Sequence, residues 1–321
     1  MTRLRVLDPG GLALVMDGGR PGFAALGVPR GGAMDAFACA AANALLGNPR
    51  DAACVEMLAG GAEFLVEQGG RFAVCGADLA MTLAGHSLDT WRVTWARAGT
   101  RLRFGARRAG LGARAYLALP GGVAAPQWLG SRSVYQAGNM GAALALDDLV
   151  AGSEDLAEDI RWVGAAWPAA SRPGYAAAPR LRVLPGPHAE RLPGVLDWLT
   201  GDGLVVSAQA NRQGLRLTAQ HPHAHRLDLP SLGVVAGAVQ LPPDGQPILL
   251  GADAQTTGGY PLIACVIGAD LPLVGQLWAG DRLRFTRCSE ADALAARREQ
   301  AAWLAAGPDP DLWMAQAAGM G

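Results

Sequence analysis

Lysine is absent from all 321 residues. Every basic side chain is an arginine, which excludes a Schiff-base nucleophile, a Walker-type phosphate lysine and a biotinyl-lysine carried on this chain. Charge of either sign is sparse and balanced, with 27 basic and 28 acidic residues, a net charge of -1, and no basic run or acidic block. Such a composition offers nothing for nucleic acid or an anionic membrane, so the expected partners are a small molecule or another protein. No apolar run approaches the roughly 20 residues of a membrane span, and MTRLRVLDPGG has no apolar signal-peptide core, so a cytoplasmic location is expected. The five cysteines, Cys39, Cys54, Cys75, Cys265 and Cys288, lack CxxC spacing and sit in apolar settings such as FACAA and IACVI. They read as buried, reduced thiols.

What is abundant is apolar residue and punctuation. Half the chain is hydrophobic, and 44 glycines and 21 prolines divide it into short segments rich in Val, Leu and Ile, such as RFAVCGA, AYLALPGG and LIACVIG. This predicts a mainly β protein with a few helices. One helix is expected near 36–46, capped by Asp35 and ended by Gly47-Asn48-Pro49. Another is expected from Ser289 to about Ala306, opening with Ser289 and Asp292 as an approximate capping box and closing at Gly307-Pro308. The tail PDPDLWMAQAAGMG is expected to be mobile or held by a partner. LRVLDPG at 4–10 recurs as LRVLPGP at 181–187, and AGTRLRFG at 98–105 recurs as AGDRLRFT at 279–286. These echoes suit a duplicated β unit, although the segments between them match poorly. The Ala-, Pro- and Gly-rich stretch 150–180 reads as a connection, dividing the chain into an N-terminal half, 1–178, and a C-terminal half, 179–321.

Polar residues gather in four places. MDGGRPGFAALGVPRGGAMD packs Asp17, Arg20, Arg30 and Asp35 among closely spaced glycines. Glycine at that density lets backbone approach a ligand closely, while Asp35 also reads as a helix cap. In SAQANRQGLRL, Asn211 and Arg212 precede a bend at Gly214, where a guanidinium can fork onto a carboxylate or phosphate; the alternative is an exposed hairpin. In VQLPPDGQPILLGAD, Asp244 belongs to a strong turn signal, and Gln240 and Gln246 flank it. ADAQTTGGYP follows, with Asp253, Gln255, Thr256, Thr257, Gly258, Gly259 and Tyr260. Gly258-Gly259 can present consecutive N–H groups as an anion nest, but without the strand-to-helix context of a P-loop. Asp253, at the end of an apolar strand, is the candidate acid/base or orienting carboxylate. His221, His223 and His225 alternate around Pro222, and no carboxylate or thiolate has matched spacing, so no metal site is expected.

Five motifs in order carry a resemblance: GRPGFAALGVPRGGAMDAFACAAANALLGN, GSRSVY at 130–135, VLPGP at 183–187, GAVQLPPDGQPI at 237–248 and DAQTTGGYP at 253–261. Together they resemble the biotin-dependent carboxyltransferase-like family, also called allophanate hydrolase subunit 2 or KipA-like, which includes the C subunit of 5-oxoprolinase. The resemblance implies two cyclophilin-like β-barrel-type halves, and cyclophilin-like architecture does not by itself imply proline isomerisation. It implies a KipI-like partner of the 5-oxoprolinase B type, a LamB/YcsF-type partner of the A type, and ATP-dependent hydrolysis of 5-oxo-L-proline to L-glutamate by the complex. Two alternatives accompany it: a regulatory protein that binds a KipI-type kinase inhibitor, and a carboxyltransferase component for urea or a related amide, with biotin on another chain. Under the first reading Arg212, the Gly258-Gly259 amides and the Gln and Thr groups are oxyanion donors, and Asp253 orients a substrate N–H or accepts its proton. Met16 and Asn211 depart from the glutamine and acidic residue common in relatives.

Overall fold

The computed structural model describes residues 1–108, 110–154 and 162–308; the tail from 309 onward lies outside the described residues. The chain divides into two compact units. The first comprises Met1–Gly19, Asp35–Pro173 and Ala301–Gly321, and the second Arg20–Met34 and Gly174–Gln300. The division differs from a linear cut at 178, because the glycine-rich segment 20–34 groups with the second unit. Its backbone explains this: Arg20 N donates to Arg30 O at 2.7 Å, closing the segment on itself, and Gly31 N donates to Ala252 O at 3.2 Å.

In the first unit a six-stranded sheet runs Leu149–Ala151, Arg3–Pro9, Ala62–Gln68, Arg101–Arg103, Thr82–Leu83 and His86–Ser87. A five-stranded sheet runs Leu12–Met16, Cys54–Leu58, Arg114–Ala118, Gly70–Gly76 and Arg92–Ala96. Alternate residues of the two sheets, Leu4, Val6, Phe64 and Val66 from one and Phe72, Val74, Ala115 and Leu117 from the other, share one core. The strand period of two puts them on facing surfaces. Helix Ala36–Leu45 packs against the five-stranded sheet, contacting Gly70–Gly76 and Arg114–Ala118. Both of those strands are buried along their whole length. Cover on two sides is why RFAVCG and AYLA read as continuous apolar runs rather than alternations.

The helix starts where its cap predicts. Asp35 Oδ1 accepts from Ala38 N at 2.9 Å, and Gly47, with φ +76°, follows its last turn. Ala, Cys and a single Phe make the helix slim enough to be buried nearly all round, with Phe37 edge-on to Trp167 and Trp303 at centroid distances of 5.9 and 6.3 Å.

The second unit is a closed seven-stranded barrel ordered Arg180–Pro185, Leu262–Val266, Ala238–Gln240, Ile248–Leu250, Gly214–Thr218, Leu204–Val206 and Arg282–Arg287. Parallel pairing of Arg180–Pro185 with Arg282–Arg287 closes it. Leu181, Val183, Leu217, Val239, Leu249, Ile263, Leu283 and Phe285 belong to its core. A two-stranded ribbon, Leu232–Gly233 with Thr257–Gly258, contributes Leu232 to a smaller core with Ala238, Leu250, Ala254 and Leu262. The mainly β expectation holds, with a closed barrel in the second unit and two open sheets around one core in the first.

The echoed segments do form strands, but in different arrangements. In the second unit they pair directly, whereas in the first Ala62–Gln68 lies between Arg3–Pro9 and Arg101–Arg103. Two short helices, Val195–Gly201 and Leu271–Gly275, were not anticipated; neither has a side-chain N-cap hydrogen bond.

The last helix, Glu290–Ala306, has a reciprocal cap. Asp292 Oδ2 accepts from Ser289 N at 3.0 Å and Ser289 Oγ at 2.7 Å, while Asp292 N donates to Ser289 Oγ at 3.1 Å. The hydrogen bonds from Ser289 hold the Asp292 carboxyl below the usual aspartate value. A depressed folded-state pKa gives stabilisation that is present above the unfolded value and lost as pH falls through the folded one. The protection factors of amides in the first helical turn should therefore fall on acidification below about pH 4, and Ser289→Ala, which leaves only the backbone donor to Asp292, should weaken that dependence. A wild-type exchange profile no more acid-sensitive than that of the variant would contradict this account of the cap.

Candidate functional site

The second unit brings Arg212 and Asp253 together. The segments carrying them are zipped by backbone bonds, with Asp253 N donating to Arg212 O at 3.0 Å and Gly251 N to Gln213 O at 2.9 Å. Arg212 Nε then meets Asp253 Oδ2 at 2.7 Å and its Nη2 meets Oδ1 at 3.2 Å, a two-pronged fork. The same Nη2 donates to Gly32 O at 2.5 Å. Asp253 is 6% exposed and Arg20 1% exposed. A Cβ built on Gly31 would lie 3.3 Å from Arg20 Nη1 and 3.4 Å from Asp253 Oδ1, so both groups flank one glycine at φ +62°. Two guanidinium groups and a carboxylate are thus gathered in a largely dry place, where hydrogen bonds are strong and geometry is fixed. The Gly32 carbonyl was not anticipated, because a backbone acceptor has no sequence signature beyond the PRGGA glycines.

A second cluster sits on the outer wall of the barrel. Gln240 is 1% exposed, its Oε1 accepts from Gln255 Nε2 at 3.4 Å, and its buried Nε2 meets no acceptor among the described residues. A Cβ on Gly258 would fall 2.4 Å from that nitrogen, so glycine is what admits the amide. Gly258 itself is extended, paired with Leu232, and neither Gly258 nor Gly259 has positive φ. The expected anion nest is therefore absent from this pair, since a nest needs alternating right- and left-handed residues. Thr256 accepts from Val234 N through its backbone carbonyl, Thr257 pairs with Gly233 and is exposed, and the Tyr260 ring is 44% exposed.

Other candidates are engaged locally. Asn211 Oδ1 accepts from Gln213 N at 2.8 Å and Gly214 N at 3.3 Å, shaping the turn that presents Arg212. Asp244 Oδ1 accepts from Gln246 N at 3.0 Å and closes the PPDGQP turn, while Gln246 Oε1 accepts from Ala219 N at 2.7 Å and ties that turn to the end of the neighbouring strand. His225 accepts from Leu227 N through Nδ1 at 3.0 Å, which leaves Nε2 to donate to Leu241 O at 2.8 Å. His223 packs on Trp198, and burial together with His225 lowers its pKa. Among the described residues no group of three or more His, Cys, Asp or Glu is arranged to hold a metal ion. Cys39, Cys54 and Cys75 are buried and Cys265 and Cys288 half-buried; burial pushes the Cys75 thiol well up.

Asp17 and Asp35 stay in the first unit, apart in grouping from Arg20. Asp17 accepts from Ser131 Oγ and Ser133 Oγ, both at 2.6 Å, and from Gly19 N at 2.8 Å and Arg132 N at 2.5 Å. The GSRSVY motif is therefore the complement of Asp17. Besides capping the helix, Asp35 donates its N–H to Tyr116 Oη at 2.7 Å, and Tyr116 donates to Glu56 Oε2 at 2.9 Å. Burial first, then the charges of Glu56 and Asp35, raise the Tyr116 pKa well above normal.

The carboxyltransferase domain family, subdomains A and B, matches residues 26–287. This chain belongs to that family. The C subunit of 5-oxoprolinase from Escherichia coli (strain K12) is 35% identical over 311 residues, 92% of this chain and 95% of that protein. Among solved structures, TTHA0988 superposes with TM-score 0.80 at 32% identity, over 89% of this chain and 56% of that one. Kluyveromyces lactis urea amidolyase superposes with TM-score 0.85 at 26% identity, over 94% of this chain but only 20% of that one. The carboxyltransferase-domain chain thus spans about half or less of the solved relatives.

The saturated environment of Asp17 yields a stability prediction. Asp17→Ala leaves two buried hydroxyls and two amides without their acceptor, at a cost on the order of 3 kcal/mol. Urea denaturation followed by tryptophan fluorescence should register it; a loss below about 1 kcal/mol would show that Asp17 does not organise GSRSVY.

Proposed function

We propose that this chain is one component of an ATP-dependent 5-oxoprolinase complex that hydrolyses 5-oxo-L-proline to L-glutamate. The observation that carries the reading is the end-to-end likeness to the Escherichia coli C subunit, which leaves almost none of either chain unmatched. In this reading the complex is cytoplasmic and includes a KipI-like protein of the B type and a LamB/YcsF-type protein of the A type. No membrane span competes with it, since among the described residues no helix is long and apolar enough to cross a bilayer.

The chemistry fits the Arg212–Asp253 site. The substrate class is a small lactam with one carboxylate, one N–H donor and one carbonyl acceptor. Asp253 complements the lactam N–H, and the guanidinium groups of Arg20 and Arg212 complement its carboxylate or the oxyanion that develops at the carbonyl. The Gln240 amide, whose Nε2 meets no acceptor among the described residues, is a further donor of the same unit. Hydrolysis breaks the ring C–N bond, adds water at the carbonyl carbon and leaves the nitrogen as the ammonium of glutamate. Gly258 is paired in the ribbon and neither Gly258 nor Gly259 has positive φ, so this pair offers no phosphate nest; ATP is used by the complex and is not clearly bound by this chain.

A second reading, a carboxyltransferase component acting on urea or a related amide, is favoured by the likeness to Kluyveromyces lactis urea amidolyase. Biotin would then ride on a different chain, because this one has no lysine. Against it stands the small fraction of that protein that this chain spans.

The test is to purify the chain with its co-encoded partners and measure glutamate released from 5-oxoproline with ATP. Asp253→Asn and Arg212→Met should each lower kcat by about a hundredfold or more while the complex still assembles. Undiminished turnover in both variants would remove the site from the reaction. No turnover in the complete wild-type complex would instead favour urea carboxylation, or a regulatory chain that binds a KipI-type inhibitor.

A further inference from the structure

The first unit contains a cleft that the chemistry above does not use. It encloses about 210 Å³ and is lined by Asp78, Asp89, Thr90, Arg92 and Arg172, with Leu88 and Ala166 as its apolar wall. That volume is below the range of pockets for drug-sized ligands, so only a compact molecule fits.

Arg92 opens strand Arg92–Ala96 opposite Val74, and paired residues of neighbouring strands share a sheet face. Val74 belongs to the sandwich core, so the Arg92 side chain leaves the sheet on the core side. Its Nε is buried with no acceptor among the described residues. A guanidinium N–H in such a place is costly unless something accepts from it, and the same guanidinium group belongs to a side chain that lines the cleft.

Its neighbours are held stiffly. Trp91 has φ +64°, a strained conformation for a bulky side chain, and is pinned by its amide to Val74 O at 2.5 Å and its indole N–H to Gly76 O at 3.1 Å. Residues held in sparsely populated backbone regions cluster at functional sites. The Arg172 guanidinium stacks 5.5 Å from the Trp91 ring centroid and donates through Nε and Nη2 to Trp167 O at 3.1 and 2.5 Å. Asp78 meets Arg108 at 3.5 Å at the surface, and Asp89 is exposed.

The charge set selects the ligand class. Two guanidinium groups disfavour a simple cation, and two carboxylates disfavour a phosphate dianion. A molecule carrying one carboxylate and one ammonium a few bonds apart satisfies both pairs, and Thr90 adds a hydroxyl that donates or accepts. We infer that this cleft is a binding site for a small zwitterionic α-amino acid, its carboxylate toward Arg92 and Arg172 and its ammonium toward Asp78 and Asp89. The inference does not rest on the 5-oxoprolinase reading and is tested without turnover.

L-alanine is the probe, titrated into the full chain by calorimetry, with acetate, methylamine and inorganic phosphate as comparisons. Saturable L-alanine binding is expected, with each comparison at least about tenfold weaker. Arg92→Met and, independently, the surface substitution Asp89→Asn should each weaken L-alanine binding by about ten- to a hundredfold in protein with an unchanged circular dichroism spectrum. Absence of saturable binding to the wild-type chain, tighter binding of phosphate than of L-alanine, or L-alanine binding undiminished by both substitutions would each overturn the assignment.

Discussion

The fork between Arg212 and Asp253 is the constraint on which the second unit's candidate site depends. Both side chains are largely removed from water, and a charge in that position is tolerated only when it is paired and hydrogen-bonded. Pairing requires the turn at 211–214, the strand end at 251–253 and the glycine segment at 31–32 to meet at the same place. Those stretches are remote in sequence, so the ion pair is a tertiary device rather than a local one. It also accounts for the grouping of segment 20–34 with the second unit, since Gly32 O satisfies a donor of the arginine and Ala252 O satisfies Gly31 N. Arginine suits this use where lysine would not: a planar fork reaches both carboxylate oxygens and still has a donor for the carbonyl.

The legible parts of the fold are those whose signals are local. Helix Ala36–Leu45 lies between a capping aspartate and a glycine with positive φ, both visible in the chain. The reciprocal cap of Ser289 and Asp292 was visible at its characteristic spacing. Val195–Gly201 escaped because it begins after Gly194 in a left-handed conformation with no side-chain cap, in a segment of only seven residues. The echo of LRVL and RLRF marked real strands but not their neighbours. Pairing is decided by which edge the intervening chain can reach, and in the first unit Ala62–Gln68 takes the place between them.

The site was legible in residue type and not in partnership. Arg212 and Asp253 both stood out, yet nothing in forty-one positions of separation states that they touch. Other polar residues looked equally ligand-like and have other employment: Asn211 and Asp244 close turns through their own backbone neighbourhood, and Gln246 bonds the backbone of Ala219. Asn and Asp are the residues most able to mimic a backbone turn, so in a loop-rich protein a carboxylate beside glycine is more often punctuation than chemistry. Asp17 illustrates the same point at longer range, its acceptors filled by GSRSVY more than a hundred residues away.

The placement of these groups separates two kinds of precision. Arg212 precedes Gly214–Thr218 and Asp253 follows Ile248–Leu250, and these strands are neighbours in a closed barrel with no free edge along which to slip. A register change there would move every inward residue out of the core, so barrel packing fixes the distance between arginine and aspartate. Gln240 is fixed in another way: the register shift after Val239 breaks the regular ladder at this residue, and the bare backbone at Gly258 lets its amide lie against the ribbon. A group positioned by strand register is hard to retune without unfolding the barrel, whereas one positioned by a bulge and a glycine can change with a single substitution. The Arg212–Asp253 pair is therefore hard to move by any single substitution outside the barrel core. The Gln240 amide is the group that any side chain placed at 258 would displace, because a Cβ there would fall 2.4 Å from its nitrogen.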